Sequence, residues 1–187
     1  MANIFFTADL HLFDNDIAQY RGFKDYHEYH SLLEQNWNRV VAGDSDTNVV
    51  YILGDISKNA AHDALKWMYL HLNGFKILIP GNHDSWGICK GFEAFGGAVM
   101  TSHTIKSGER RYMLTHYPAH PDELQWYDVN IHGHIPAPYP EIQYFPVHYP
   151  EPDDSGKYLN VNVEFNKYTP VKLEDICFKF QQNGDGL

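Results

Sequence analysis

Three short apolar runs alternate with two segments of helical period over the first eighty residues, and this alternation limits the fold more than any other feature. NIFFTADL, beginning at Asn3, reads as a buried strand. In DYHEYHSLLEQNWNRVV, Tyr26, Tyr29, Leu33, Trp37 and Val40 recur at three- and four-residue steps, the period of a helix. Asp25 and Glu28 have the spacing of a capping box at its start. NVVYIL over 48–53 is a second strand, AAHDALKWMYLHL over 60–72 a second helix with Gly74 past its end, and FKILI over 75–79 a third strand. Strands joined by helices run parallel and are covered on both faces. The expectation is therefore an α/β chain with a doubly covered parallel sheet.

The second half changes character. AVMTSHTIK and RRYMLTHY flank Ser-Gly-Glu and predict a hairpin. WYDVNIH and KYLNVNVEF add strands, TPVKLEDICFKFQQ is read as a closing helix, and 183–187 as a tail. Between the two added strands, residues 136–154 hold six of the ten prolines. That length and composition predict a functional loop or lid, with an unstructured insertion as the alternative. No repeat interrupts the pattern, so one domain over 1–182 is expected. A chain of 187 residues suits that reading and should bury roughly 70% of its unfolded surface.

Composition excludes several functions. The net charge is -10 with histidine neutral, which disfavours charge-driven binding to a nucleic-acid backbone. Only two cysteines occur, Cys89 and Cys177, pointing to a reducing compartment. MANIFFTADLHLF lacks the basic start of a signal peptide, and no apolar run reaches the roughly 20 residues of a membrane span. A cytoplasmic location is expected.

The ends of the apolar runs carry the chemistry. Asp9-Leu10-His11 closes the first run, and in extended chain residues two apart point to one side. Gly54-Asp55 follows the second run, and Pro-Gly-Asn-His-Asp over 80–84 the third. Turn chemistry accounts for Pro80, Gly81 and Asn82 but not for His83 and Asp84. His116 follows RRYMLT, and His134 ends the His132-Gly133-His134 triplet after VNI. Each residue alone has an ordinary structural reading as a turn, a cap or a satisfied histidine. Together they occupy five successive run ends.

This ordered set resembles the calcineurin-like metallophosphoesterases, whose pattern is Asp-x-His, Gly-Asp, Gly-Asn-His-Asp/Glu, His and Gly-His-x-His. The resemblance covers positions 9 to 136 and extends toward the NVNVE segment. It implies a four-layer fold, a sandwich of two β-sheets flanked by helices, with two divalent metal ions at the strand ends. Manganese is the expected metal, with iron, zinc and nickel as alternatives. Asp9, His11 and a bridging Asp55 would hold the first ion. Asp55, Asn82, His116 and His134 would hold the second. A water between the ions, its pKa lowered by the metal, would attack a phosphomono- or phosphodiester. His83 would act as the general acid, oriented by Asp84 unless Asp84 only caps the following turn.

One position departs from the pattern. The family expects a histidine on the first ion where this chain has Pro136, which has no side-chain donor atom. A weaker first site follows, unless His132 or His148 substitutes. The departure also keeps a second reading open, a non-catalytic protein of the same fold that binds a partner protein. A small phosphoester or nucleotide is the expected substrate, with nucleic acid not favoured. Trp86, Tyr117, Trp126 and Tyr139 are read as core or rim packing, with stacking on a base as the alternative.

Overall fold

The computed structural model describes residues 2–43, 47–137 and 157–182, and within the last stretch the side chains up to 177. Fourteen regular elements follow in order: β1 Asn3–Thr7, α1 Asn15–Tyr20, α2 Tyr26–Val40, β2 Asn48–Ile52, α3 Ala61–His71, β3 Phe75–Leu78, α4 Trp86–Ala94, β4 Ala98–Val99, β5 His103–Ser107, β6 Arg110–Leu114, β7 Val129–His132, β8 Tyr158–Asn160, β9 Val171–Lys172 and α5 Leu173–Gln182. A 3-10 helix, Pro121–Trp126, lies between β6 and β7.

The strands form two sheets, in the orders β4-β3-β2-β1-β9 and β5-β6-β7-β8. Side-chain alternation along a strand explains how they stack. In β1, Phe5 packs with α2, α3 and α4 through Leu33, Trp37, Leu65 and Phe92. Its neighbour Phe6 packs instead with Tyr112, Leu114, Val129 and Ile131 of the second sheet. The inner strands of the first sheet are thus apolar on both faces, one toward helices and one toward the other sheet. That is why they read as unbroken apolar runs. Val129 and Ile131 of β7 face the core between the sheets. Asn130 takes the opposite face, where its Oδ1 accepts from the Ala119 N–H at 2.8 Å and the 117–126 connection covers it. The result is a mixed α/β fold of two sheets flanked by helices.

Local chemistry fixes the elements. The Asp25 carboxylate accepts from the Glu28 N–H at 3.0 Å, and Glu28 reaches back to the Lys24 N–H at 2.7 Å. The predicted apolar stripe of α2 is buried at Tyr29, Leu33 and Trp37, and the Trp37 indole N–H finds the Asn73 carbonyl at 3.0 Å.

Four expectations need correction. The segment predicted as one strand over 98–106 is split: Ala98–Val99 adds to the first sheet beside β3, and the chain then crosses to pair His103–Ser107 with β6. The closing segment is a helix only from Leu173; Val171–Lys172 first pairs antiparallel with β1. The strand read over 157–165 ends at Asn160, because Asn160 and Asn162 side chains capture the N–H groups two residues on, at 2.9 and 3.0 Å. Two helices went unread, α1 and α4, each short and each capped by a side chain, Asp14 on the Ile17 N–H and Ser85 on the Ile88 N–H. Residues 138–154 of the proline-rich segment, with His148 and Tyr139, and the tail 183–187 lie outside the described residues. No helix among the described residues is long and apolar enough to cross a membrane.

Trp37 is fully buried where α2 meets the first sheet. Trp37→Ala should lower stability by about 3–5 kcal/mol, read as a shift in the urea midpoint. An unchanged midpoint would contradict the packing described.

Candidate metal centre

The carboxyl ends of β1, β2 and β3 and the ends of β6 and β7 open onto one rim of the sandwich. The backbone there turns sharply. Seven described non-glycine residues have positive φ, and four of them are Asp9 (60°), His11 (46°), Asp55 (59°) and His134 (68°). Left-handed conformations at non-glycine residues cost about 1–3 kcal/mol each and persist where surrounding contacts enforce them. Here those contacts continue the β1–β2 pairing past the strands: the Asp9 N–H donates to the Gly54 carbonyl at 2.9 Å and the His11 N–H to the Asp55 carbonyl at 3.0 Å.

Two overlapping groups of side chains result. Ligand atoms of Asp9, His11 and Asp55 all lie within 4.8 Å of one another, and so do those of Asp55, His116 and His134. Asp55 belongs to both. Asn82 joins the second group, its Oδ1 3.0 Å from His116 Nε2. His116 Nδ1 faces the Leu53 carbonyl at 2.7 Å. A carbonyl only accepts, so Nδ1 carries the proton and Nε2 presents a lone pair. That lone pair faces Asn82 Oδ1, His134 Nδ1 at 3.2 Å and Asp55 Oδ2 at 3.6 Å. At most one proton can serve this meeting of acceptors. A cation satisfies all of them, so the residues fit a metal.

Electrostatics point the same way. Burial, then the neighbouring Asp55, push the Asp9 carboxyl well above its usual range, and burial also raises Asp55. Burial lowers His11 to about 3 and His134 to about 4, with Arg21 and His116 as the next causes respectively. His116 is lowered too, by burial. The imidazoles therefore stay neutral, the form that binds metal, while Arg21 offsets only part of the burial of Asp9.

Close approach depends on glycine at three positions, one of them Gly81, where a Cβ would run into Asp55 Oδ1 and the His116 ring. A Cβ on Gly54 would lie 2.3 Å from His116 Nδ1, and one on Gly133 would lie 2.6 Å from Asp9 Oδ2. This accounts for the glycine in the His-Gly-His triplet: it lets β7 end against Asp9, whose carboxylate accepts from the His134 N–H at 2.9 Å.

The remaining candidates separate by role. The His83 N–H donates to Asp55 Oδ1 at 2.9 Å, and the His83 ring lies 5.4 Å from that of His11 across the mouth of the cleft. Asp84 does not bond His83. Its two oxygens accept from the N–H groups of Asp55, Ile56 and Gly81 at 2.7–2.9 Å, tying the second loop to the third. His132 is buried in β7 with Nδ1 2.9 Å from the Gly133 carbonyl, and belongs to neither ligand group. Pro136 lines the cleft together with Asp9, His11 and Asp55. Trp86 and Trp126 are exposed, not core, and the Tyr117 ring lies 4.4 Å from that of His134. Sequence reasoning did not single out Arg21 and Glu164, which also line this cleft of about 500 Å³.

No family model matches the sequence. The uncharacterized protein MJ1445 of Methanocaldococcus jannaschii is 34% identical over 188 aligned positions, covering 98% of this chain and 94% of the relative. The chain belongs to the MJ1445 family. The crystal structure of AQ665, a protein of unknown function from Aquifex aeolicus, superposes on this family member with a TM-score of 0.68 at 22% identity, over 94% of this chain and 98% of that one. The two share a fold. A structure described as a novel archaeal phosphodiesterase aligns more loosely, with a TM-score of 0.47 at 17% identity over 86% of this chain and 82% of its own.

The perturbed carboxyls predict how metal uptake varies with pH. A metal binds the ionised carboxylate, so protons compete at every pH below the raised Asp9 pKa. Affinity for Mn²⁺ should rise with pH until Asp9 ionises and then level off, with proton release falling in parallel. His11 and His134, neutral above about 4, should release none between pH 5 and 8. Calorimetric titrations in two buffers of different ionisation enthalpy measure this directly below about pH 6, where a metal-bound water keeps its protons; proton release that grows with pH in that range would contradict it.

Proposed function

We propose that this chain is a metal-dependent phosphoesterase that hydrolyses a small phosphomono- or phosphodiester, a nucleotide among them. The observation that carries this reading is the pair of ligand groups sharing Asp55 at the base of the cleft. A shared carboxylate suits a site that would hold two divalent ions. Asp9, His11 and Asp55 would hold one, and Asp55, Asn82, His116 and His134 the other. Mixed oxygen and nitrogen donors without thiolate suit Mn²⁺, with iron, zinc and nickel as alternatives. When bound, the ions supply Lewis acidity toward the phosphoryl oxygens and an activated water.

The chain's own residues do the rest. Asp55 is held by its backbone N–H on Asp84 and by the His83 N–H on its Oδ1, so its other oxygen keeps one direction. His83 borders the cleft without belonging to either ligand group. Its imidazole would donate a proton to the leaving oxygen of the ester. The volume of about 500 Å³ suits a small substrate. The negative net charge and the free Cys89 and Cys177 fit a small-molecule enzyme of a reducing compartment.

Pro136 favours a second reading, a non-catalytic protein of this fold that binds a partner, because it removes a first-ion ligand. Hydrolysis of a chromogenic phosphodiester separates the two. EDTA should abolish turnover and Mn²⁺ restore it, with Asp55→Asn the most damaging ligand change. Turnover that survives exhaustive chelation would sink the metal mechanism, and none at any metal concentration would favour partner binding.

His83→Ala should cut turnover by roughly 10²–10⁴-fold, the range for a general acid. Bound metal, counted by atomic absorption, should stay at the wild-type level. Loss of metal would make His83 a ligand or a structural residue instead.

A further inference from the structure

The segment Asn160-Val161-Asn162-Val163-Glu164 grips the backbone on both sides of Pro136. Val161 packs in the core between the sheets and Val163 in the core under the helices, so the segment crosses from one layer to the other. Its polar side chains turn toward 135–137. Asn160 Nδ2 donates to the Ile135 carbonyl at 2.7 Å, and Glu164 Oε2 accepts from the Ala137 N–H at 2.9 Å. The other oxygen of Glu164 accepts from Arg21 Nε at 2.8 Å. The two side chains are only 4% and 1% exposed.

Arg21 carries the contact onward. Its Nη2 donates to the Asp9 carbonyl at 2.7 Å and its Nη1 to the Leu10 carbonyl at 3.3 Å. The Asp9 carboxylate in turn accepts from the His134 N–H. A closed circuit results: Asp9 to His134, along the chain to Ala137, across to Glu164, through Arg21 and back to Asp9. Both ends of Asp9 are inside it.

Glu164 is not itself a ligand here. It belongs to neither group of donor atoms lying within 4.8 Å of one another, and both its oxygens are engaged. Groups that orient ligands without touching the metal nevertheless set affinity, typically by 10–100-fold. We propose that the buried Arg21–Glu164 ion pair is the positioning element of the first metal site, holding Asp9 and the backbone flanking Pro136 in place where Pro136 contributes no donor. The inference rests on the two-metal reading given above.

Metal titration tests it without recourse to activity. Wild-type protein should take up two Mn²⁺ in separable steps by calorimetry, and Asp9→Asn identifies which step is the first site. Breaking one half of a buried ion pair endangers folding, so the principal variant is Arg21→Met combined with Glu164→Gln. It removes both charges and keeps an acceptor for the Ala137 N–H. The expected result is a first-site affinity about 10–100-fold weaker, with the second step within twofold of wild type. Ala137→Pro, which deletes the N–H that donates to Glu164 and also fixes φ at 137, should weaken the same step. Equal weakening of both steps in the double variant would reduce the pair to general structural support and overturn the proposal. So would two unchanged steps. A wild-type chain that binds fewer than two ions would instead overturn the two-metal reading itself.

Discussion

Asp55 is the residue on which the site depends, because the loops after β1 and β3 are both tied to it. Its N–H is bound by Asp84, its carbonyl by the His11 N–H, and one carboxylate oxygen by the His83 N–H. The other oxygen faces His11 and His116 at 3.8 and 3.6 Å. Three contacts thus bring the first, second and third loops into register on a single residue. A buried carboxylate beside a second one, Asp9, is electrostatically unfavourable without a compensating cation. The strained backbone and the raised carboxyl pKa values are two expressions of one arrangement, a cluster built for a positive charge.

The layers below supply rigidity. Each inner strand of the first sheet sends alternate side chains into two separate cores, so neither a shift nor a rotation of β1 or β2 is free. A one-residue slip would exchange Phe5 with Phe6 and Val50 with Tyr51 across the sheet. The strand ends are therefore fixed points, and the loops beyond them inherit that precision.

Much of this was legible in the sequence, for identifiable reasons. The strands β1, β2 and β3 and the helices α2 and α3 announce themselves because burial on both faces gives unbroken apolar runs and burial on one face gives a three-to-four-residue period. Asp9, His11, Asp55, Asn82, His116 and His134 were readable because each follows such a run, and the structure gathers them. Asp84 was harder, since a carboxylate that binds three backbone N–H groups leaves the same trace in sequence as one that orients a histidine. Arg21 gave no signal: a buried arginine is defined by its partner 143 residues away. Glu164 had one, the alternation of Asn160, Asn162 and Glu164, which reads as an ordinary strand until the segment it faces is known. The division of 98–106 between two sheets could not be read either, because both pieces satisfy the same strand pattern and only the packing of the layers separates them.

The antiparallel pairing of β9 with β1 has a consequence for how the chain is made. Synthesis runs from the N-terminus at about 5–20 residues per second. β1 is made before every other strand of its sheet, yet its outer edge is covered only when Val171 and Lys172 arrive. Until then the nascent sheet carries Phe5 and Phe6 on a strand with one open side. An uncovered apolar edge is a template for pairing with another chain. The order of synthesis thus leaves the β1 edge open until the two-residue β9 closes it.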